Sequence, residues 1–257
     1  MPPRPDVHES GWASTRDCGR VRRNLLPENV VDLPSPWLAF LGDVTDPIDA
    51  KTALGVRDWA PDRLVAEWSL PAASVTLDLP RLAPVEAVEQ GARAMLIGIA
   101  PFGGAVPEDW VPALCEALDA GLDLVSGLHQ RLASIPALAE RAAARGRRLY
   151  DVRHGEPVGI VATGRPRSGR RVLTVGTDCA LGKKYTALAL ARGLADRGVA
   201  VDFRATGQTG ILIAGAGIAI DAVVSDFVAG AAERLSPAAD PAHWDVIEGQ
   251  GSLFHPA

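Results

Sequence analysis

The sequence lacks the features of a membrane or secreted protein. It contains no uninterrupted stretch of about 18 apolar residues, the length that a membrane-spanning helix needs. Its first residues, MPPRPDVHES, have no apolar segment behind the first arginine, so no secretory signal is expected. The formal net charge of −5 also argues against binding to nucleic acid. We therefore expect a cytoplasmic protein with no membrane and no nucleic-acid partner.

Cysteine and lysine are both scarce. The three cysteines, Cys18, Cys115 and Cys179, are odd in number and have no CxxC spacing, which argues against a disulfide framework or a zinc cluster. Only three of the 26 basic residues are lysines, and two of them, Lys183 and Lys184, are adjacent in a glycine-rich segment. This segment is where we first look for function.

The pattern along the chain predicts two α/β domains after a flexible extension. Residues 1–36 contain six prolines and no apolar periodicity. Residues 37–152 alternate apolar runs with helical stretches, which predicts a Rossmann-like domain with a parallel sheet. The predicted strands are 37–41, 64–68, 94–99, 122–126 and 148–152, and the predicted helices are 84–91, 108–120 and 130–145.

A second alternation begins after a segment rich in glycine, proline and arginine. Residues 153–170 are predicted to be a linker, and residues 171–257 a P-loop NTPase-like α/β domain. Its predicted strands are 171–175, 199–204 and 243–247, and its predicted helices are 182–197 and 221–235.

A phosphate-binding loop is the strongest local signal. An apolar strand leads into a loop bounded by Gly176 and Gly182, followed by Lys183 and a helix, the context in which backbone N–H groups and a lysine bind phosphate. The alternative is a tight turn in which the glycines only supply unusual dihedral angles. The predicted cofactor-binding residues are Gly176, Thr177, Cys179, Ala180, Leu181, Gly182, Lys183, Lys184, Tyr185 and Thr186.

This loop departs from the common P-loop in two respects. Five residues instead of four separate its glycines, and Lys184 stands where a Ser or Thr usually binds Mg²⁺. A cation at position 184 cannot hold a metal ion, and the alternative is that Thr186 binds one from a shifted position. The sequence therefore favours neutralisation of phosphate by two lysines without a metal.

Several long segments resemble a known family. They include LGDVTDP (41–47), KTALGVRDW (51–59), GLDLVSGLH (121–129), TVGTDCALGKKYTALAL (174–190), FRATGQTGILIAG (203–215) and HWDVIEGQGSLFHPA (243–257). Across residues 37–257 the chain resembles the DgcN-like D-glutamate N-acetyltransferase family, P-loop proteins long catalogued as a domain of unknown function. Its P-loop is more distantly similar to that of dethiobiotin synthetase. The resemblance implies a Rossmann-like domain, a P-loop domain and transfer of an acetyl group from acetyl-CoA to the amine of D-glutamate.

Acetyl transfer requires a base, and two carboxylates are candidates. Glu248 follows a predicted strand, at the edge where parallel sheets bind ligands, so we predict it as the general base. Its alternative role is to orient the neighbouring glycines. Asp178 lies in the phosphate loop, where a carboxylate is unfavourable unless it has a function, so we predict a catalytic role; the alternative is an N-cap of the next helix. Cys179 is expected to be a small buried residue, and a nucleophilic thiol is the alternative.

Three residues after the strand 199–204 are predicted to contact substrate. Arg204 can pair with a carboxylate, and Gln208 and Thr209 add neutral donors; the alternative is a flexible glycine loop with a surface arginine. The coenzyme's phosphates suit a loop with two lysines, so we expect acetyl-CoA as co-substrate, no metal and a homo-oligomer.

Two other functions are open, and the C-terminal boundary raises a further expectation. An ATP- and Mg²⁺-dependent ligase similar to dethiobiotin synthetase is one alternative function, and a non-catalytic nucleotide-binding protein is another. The family that the chain resembles continues beyond the position of Ala257, so we expect the P-loop domain to be incomplete, with an exposed sheet edge.

Overall fold

The computed structural model describes residues 32–155 and 158–252. The first of its two sheets has five parallel strands in the order β2-β1-β3-β4-β5. Both β1 and β3 are buried at every position, because their sequences WLAF and AMLI are apolar on both faces. The strands are β1 (Trp37–Phe40), β2 (Leu64–Trp68), β3 (Ala94–Ile97), β4 (Asp123–Ser126) and β5 (Leu149–Asp151).

Four helices accompany this sheet, and three begin with a proline in their first turn. They are α1 (Lys51–Trp59), α2 (Pro84–Glu89), α3 (Val111–Asp119) and α4 (Pro136–Arg145). The predicted helix over 130–145 starts only at Pro136, because Ile135 before it is extended. The Asp151 carboxylate accepts the Leu132 N–H in the turn upstream. Gly146 ends α4 in a left-handed conformation, as its sequence position predicts.

The second sheet has three parallel strands in the order β6-β8-β7. The strands are β6 (Arg170–Leu173), β7 (Val201–Arg204) and β8 (Trp244–Ile247), and the helices are α5 (Lys183–Ala195), α6 (Gln208–Ala214) and α7 (Val228–Leu235). The helix predicted over 221–235 is interrupted: two short 3-10 turns, Ile220–Ala222 and Ser225–Phe227, precede α7. The α/β class predicted from the sequence is thus confirmed.

The segment predicted as a linker packs on the second unit. The N–H groups of Thr163 and Gly164 both donate to the Glu233 carboxylate of α7, at 2.8 Å. Val158 joins a small apolar cluster with Ala231 and Leu235. Residues 158–169 are therefore fixed against α7 over much of their length. Residues 1–31 of the predicted extension lie outside the described residues.

Helices α1 and α6 join the two units, and the sequence patterns had predicted neither. Ala53 and Val56 of α1 share one apolar cluster with Ile211 and Leu212 of α6. The same cluster contains Val125 of β4 and Ala205, which follows β7. The two units therefore share a core, which brings the carboxyl ends of β4 and β5 close to the first turn of α6. No helix in the described part of the chain is both long and apolar enough to cross a bilayer.

Candidate functional site

The candidate site lies where the three strands of the second sheet end. The phosphate loop follows β6, residues 205–207 follow β7, and Glu248, Gly249 and Gln250 follow β8. Because parallel strands end at one edge, these three segments meet there. The structure thus brings the predicted phosphate loop beside the predicted base.

The phosphate loop is open to solvent. Its residues 177–181 are exposed, so the expectation that Cys179 is buried was wrong. Gly182 adopts a left-handed conformation with φ of +96° immediately before α5. The Lys183 ammonium folds back across the loop and donates to the carbonyl oxygen of Asp178, at 2.7 Å. An exposed loop with a lysine at the start of a 13-residue helix has the form of an anion site.

The Asp178 carboxylate is used inside the loop. Its Oδ1 accepts the Cys179 N–H at 2.6 Å and the Ser252 hydroxyl at 2.9 Å. It does not cap α5, because Gly182 precedes that helix and offers no side chain. Asp178 therefore links the loop to the segment that follows β8, and its predicted catalytic role stays a prediction.

Gly249 fixes the spacing between β8 and the phosphate loop. Its N–H donates to the Thr174 hydroxyl at 3.0 Å. A β-carbon at position 249 would overlap the backbone carbonyl of Thr174, so only glycine fits there.

Glu248 is 4% exposed and organises the turn after β7. Its Oε2 accepts the N–H groups of Thr206 and Gly207, at 3.0 and 3.1 Å. A β-carbon on Gly210 would overlap this carboxylate. Burial raises the pKa of Glu248, although the two amide donors and the nearby Lys184 act in the opposite direction. Glu248 orients the glycines around it, and its raised pKa also suits a base that works near neutral pH.

Arg204 does not reach the sheet edge, which corrects its predicted role in binding substrate. Its guanidinium lies under the sheet and pairs with Asp202 at 2.9 Å and with Asp245 at 2.8 Å. Arg204 alternates along β7 onto the face of Asp202, and this face is buried. Ser236 also donates to the Asp245 carboxylate, at 2.5 Å. We call Asp202, Arg204, Asp245, His243 and Ser236 the buried charge network.

Gln208 and Thr209 begin α6 and lie at the contact between the two units. The Thr209 hydroxyl is 3.2 Å from that of Thr52 in α1, and Thr209 is 6% exposed. The Gln208 side chain approaches Gly127 at the end of β4 so closely that a β-carbon there would lie 2.7 Å from its Cγ. Their predicted contact with substrate stays a prediction.

Lys184 and Tyr185 point away from the phosphate loop, which corrects their predicted place in the cofactor site. The Tyr185 hydroxyl donates to the Asp58 carboxylate of α1 at 2.7 Å, and its ring packs edge-on to Trp59. The Lys184 ammonium lies against Gly55 of α1, where a β-carbon would come within 2.7 Å. Thr186, one residue further, is exposed on α5.

Within residues 32–155 and 158–252, one group has the geometry of a metal site. The ligand atoms of Asp202, His243 and Asp245 lie within 4.8 Å of one another. The Arg204 guanidinium already supplies positive charge to both carboxylates. The donor set is therefore satisfied by an arginine and does not require a cation.

The residue patterns did not single out several groups that the structure brings to this site. Thr206 donates its hydroxyl to the Glu248 carbonyl at 2.6 Å, and Gln250 donates to the Thr206 hydroxyl at 3.1 Å. Thr52 and Gly55 come from the other unit. A glycine inside a helix, as at position 55, was the one available signal, since it is unfavourable unless something approaches closely.

The fold and the phosphate loop together define a P-loop protein in which a Rossmann-like unit precedes the P-loop unit along the chain. Two family models match the chain: a Rossmann-like domain of unknown function, DUF1611_N, over residues 69–155, and a P-loop domain of unknown function, DUF1611_C, over residues 160–257. The chain belongs to the DUF1611 family.

Two similar proteins carry the name D-glutamate N-acetyltransferase. One, from Tritonibacter scottomollicae, is 49% identical over 223 residues, which are 87% of this chain and 67% of that protein. The other, from a Pseudoalteromonas species, is 43% identical over 227 residues, 88% of this chain and 68% of that protein. The crystal structure of a DUF1611 family protein from Anabaena variabilis is also similar, with a TM-score of 0.74 and 39% identity over 87% of this chain and 68% of that one.

Proposed function

We propose that this chain is an acyltransferase that moves the acetyl group of acetyl-CoA to the amine of D-glutamate. The observation that carries the proposal is the identity of 49% and 43% to two proteins named D-glutamate N-acetyltransferase. The open phosphate loop beside a buried glutamate supports it, because the reaction needs an anion site for the coenzyme and a base for the amine.

The phosphate loop fits the coenzyme's phosphates. Residues 177–181 are exposed, and the Lys183 ammonium bonds only to a backbone carbonyl of its own loop among the hydrogen bonds of the described residues. A phosphate group can replace that neutral carbonyl with a gain in electrostatic energy. In this proposal Lys183 and the amides before α5 hold acetyl-CoA, and no metal is needed for the transfer.

Glu248 is the proposed base. The acceptor's ammonium gives one proton to the Glu248 carboxylate, and the free amine attacks the thioester carbonyl. The carbon–sulfur bond then breaks, the nitrogen loses its second proton and the sulfur leaves as the thiol. Gly207 leaves room beside the carboxylate for the Gln250 side chain, because a β-carbon there would lie 2.6 Å from Gln250 Nε2 and 3.4 Å from Glu248 Oε1. Burial raises the pKa of Glu248, which makes its carboxylate a stronger base.

Thiol release from acetyl-CoA tests the proposal. We expect release that depends on D-glutamate and persists in EDTA, with L-glutamate and ATP–Mg²⁺ reactions as controls. Glu248→Gln should lower kcat by about 10²- to 10⁴-fold, the usual contribution of a general base. Lys183→Ala should instead raise the KM for acetyl-CoA. Absence of D-glutamate-dependent release from the wild-type chain would contradict the proposal.

A further inference from the structure

The two adjacent lysines of the phosphate loop face different parts of the molecule. Lys183 donates to the loop carbonyl of Asp178. Lys184 lies against Gly55 of the other unit, and its pKa is lowered to about 8 by burial. A partly buried lysine whose ammonium faces the other unit requires a separate explanation.

Two glycines inside helices make room for a pair of opposite charges. A β-carbon on Gly55 of α1 would come within 2.7 Å of the Lys184 Nζ and 2.9 Å of the Thr209 Cγ2. A β-carbon on Gly210 of α6 would overlap the Glu248 carboxylate. Thr209 and Gly210 are neighbours in α6, so the ammonium and the carboxylate both lie near the same turn of this helix. Each charge affects the pKa of the other.

The charged groups around this pair belong to three elements. Lys51 and Asp58 of α1 act on Lys184 with opposite signs, and the Tyr185 ring lies 5.2 Å from its ammonium. The Thr206 and Gly207 amides hold Glu248. A partly buried lysine beside a buried glutamate does not by itself favour folding, because desolvation offsets their attraction. Glycine in a helix interior is also unfavourable relative to alanine.

We propose that Lys184 is a positioning residue for acetyl transfer, whose ammonium keeps the nearby Glu248 carboxylate ionised at the first turn of α6, with Gly55 of the Rossmann-like unit providing the space for this ammonium. The inference rests on the proposed function of Glu248 as the base. In this proposal the two adjacent lysines have different roles: Lys183 binds the coenzyme, and Lys184 acts on the general base Glu248.

Two substitutions test this assignment, Lys184→Met in the P-loop unit and Gly55→Ala in the Rossmann-like unit. Both should lower kcat/KM for D-glutamate, by about 10- to 100-fold, the scale of a small misplacement of a reacting group. The KM for acetyl-CoA should stay near the wild-type value. The acidic limb of the pH profile of kcat/KM should move to higher pH, because loss of the Lys184 ammonium makes the Glu248 proton harder to remove. Gly193→Ala is the matched control: it is also a helix-interior substitution, but its β-carbon would approach only the Arg197 guanidinium, at 3.5 Å.

A second measurement is independent of activity. The ¹³C resonance of the Glu248 carboxyl group, assigned by its loss in Glu248→Gln, should titrate at higher pH in both variants than in the wild type and in Gly193→Ala. Folded variants with an unchanged Glu248 titration would overturn the role of Lys184. A wild type that fails to acetylate D-glutamate, but shows the predicted change in titration, would contradict the proposed function and leave the pairing supported.

Discussion

The two sheets of the molecule bury different kinds of side chain. The five-stranded sheet is packed mainly with apolar residues, β1 and β3 are buried at every position, and its buried polar side chains are Glu67 of β2 and Ser126 of β4. The three-stranded sheet instead buries Asp202, Arg204 and Asp245, and its strand β6 leaves Leu173 54% exposed. The first sheet is therefore built for stability. The second combines a charged interior with an open edge that carries the candidate site.

The glycines of the molecule serve two purposes. Gly146 ends a helix of the five-stranded unit. At the candidate site, Gly249 and Gly210 are instead required because another group occupies the place of a side chain, and Gly55 of α1 makes a close approach of the same kind from the five-stranded unit. The candidate site therefore depends on close approaches that both units contribute.

The largest expected loss of stability comes from a substitution in the apolar five-stranded sheet. Phe40 of β1 is fully buried and packs against Trp68 and Trp110, with ring centroids 5.7 Å away in each case. Phe40→Ala should lower the free energy of unfolding by about 3–5 kcal/mol, because it removes buried apolar area and leaves a cavity. Leu173→Ala in β6 is the counterpart in the other sheet and should cost about 0.5 kcal/mol or less, as exposed sites do. Urea denaturation of both variants measures the difference. Equal losses would contradict the contrast between the sheets.

The next largest loss of stability is expected from a substitution in the buried charge network. Arg204→Met removes the cation from Asp202 and Asp245 and should cost about 3 kcal/mol. Burial already raises the pKa of Asp202, and loss of the arginine should raise it further. Protonation of Asp202 then favours the folded state, so the deficit should be largest near neutral pH and shrink as the pH falls.

The control for this prediction removes a carboxylate together with the arginine. Denaturation of Arg204→Met/Asp202→Asn should recover part of the stability lost in the single variant, because fewer charges are left buried without a partner. A double variant as unstable as the sum of the two single variants would mean that these residues do not act as a pair.

Much of this architecture follows from the sequence, and the parts that do not have physical reasons. Strand 64–68 was predicted at its observed limits, and the loop before Lys183 was recognised as a strand–loop–helix unit. Helix α6 was missed because its sequence, QTGILIA, follows a glycine and contains β-branched residues. Its stability comes from packing on α1, which a local pattern cannot reveal.

The predicted site residues come from segments that meet at one edge of the second sheet, but the sequence does not determine where each side chain points. Arg204 was expected at the rim because it ends a strand, yet alternation along β7 puts it beside Asp202 on the buried face. Lys184 was predicted to bind the cofactor together with Lys183 because the two residues are adjacent in the sequence. Consecutive helix residues point about 100° apart, so only one of two neighbours in the first turn can face the loop.

The smallest expected effect is a gain in stability instead of a loss, and it tests the contrast between the two sheets most directly. Lys184→Met should raise the free energy of unfolding by about 1–2 kcal/mol at pH 7, a discounted fraction of the cost of keeping this ammonium charged while buried. The pKa of Lys184 is lowered to about 8 in the folded protein. The unfolded chain therefore binds more protons between that pH and the ordinary lysine pKa, and the wild type gains stability as the pH rises through this interval.

The advantage of Lys184→Met should accordingly be complete below pH 8 and fade towards pH 10.5, the interval set by the lowered and ordinary pKa values of Lys184. Thermal or urea unfolding at several pH values measures it, with Lys51→Met, an exposed lysine of α1, as the control. A lysine retained for packing would produce the reverse, a loss of stability on substitution. A variant that is more stable yet acetylates D-glutamate more slowly would indicate that the second unit retains this buried charge for activity at a cost in stability.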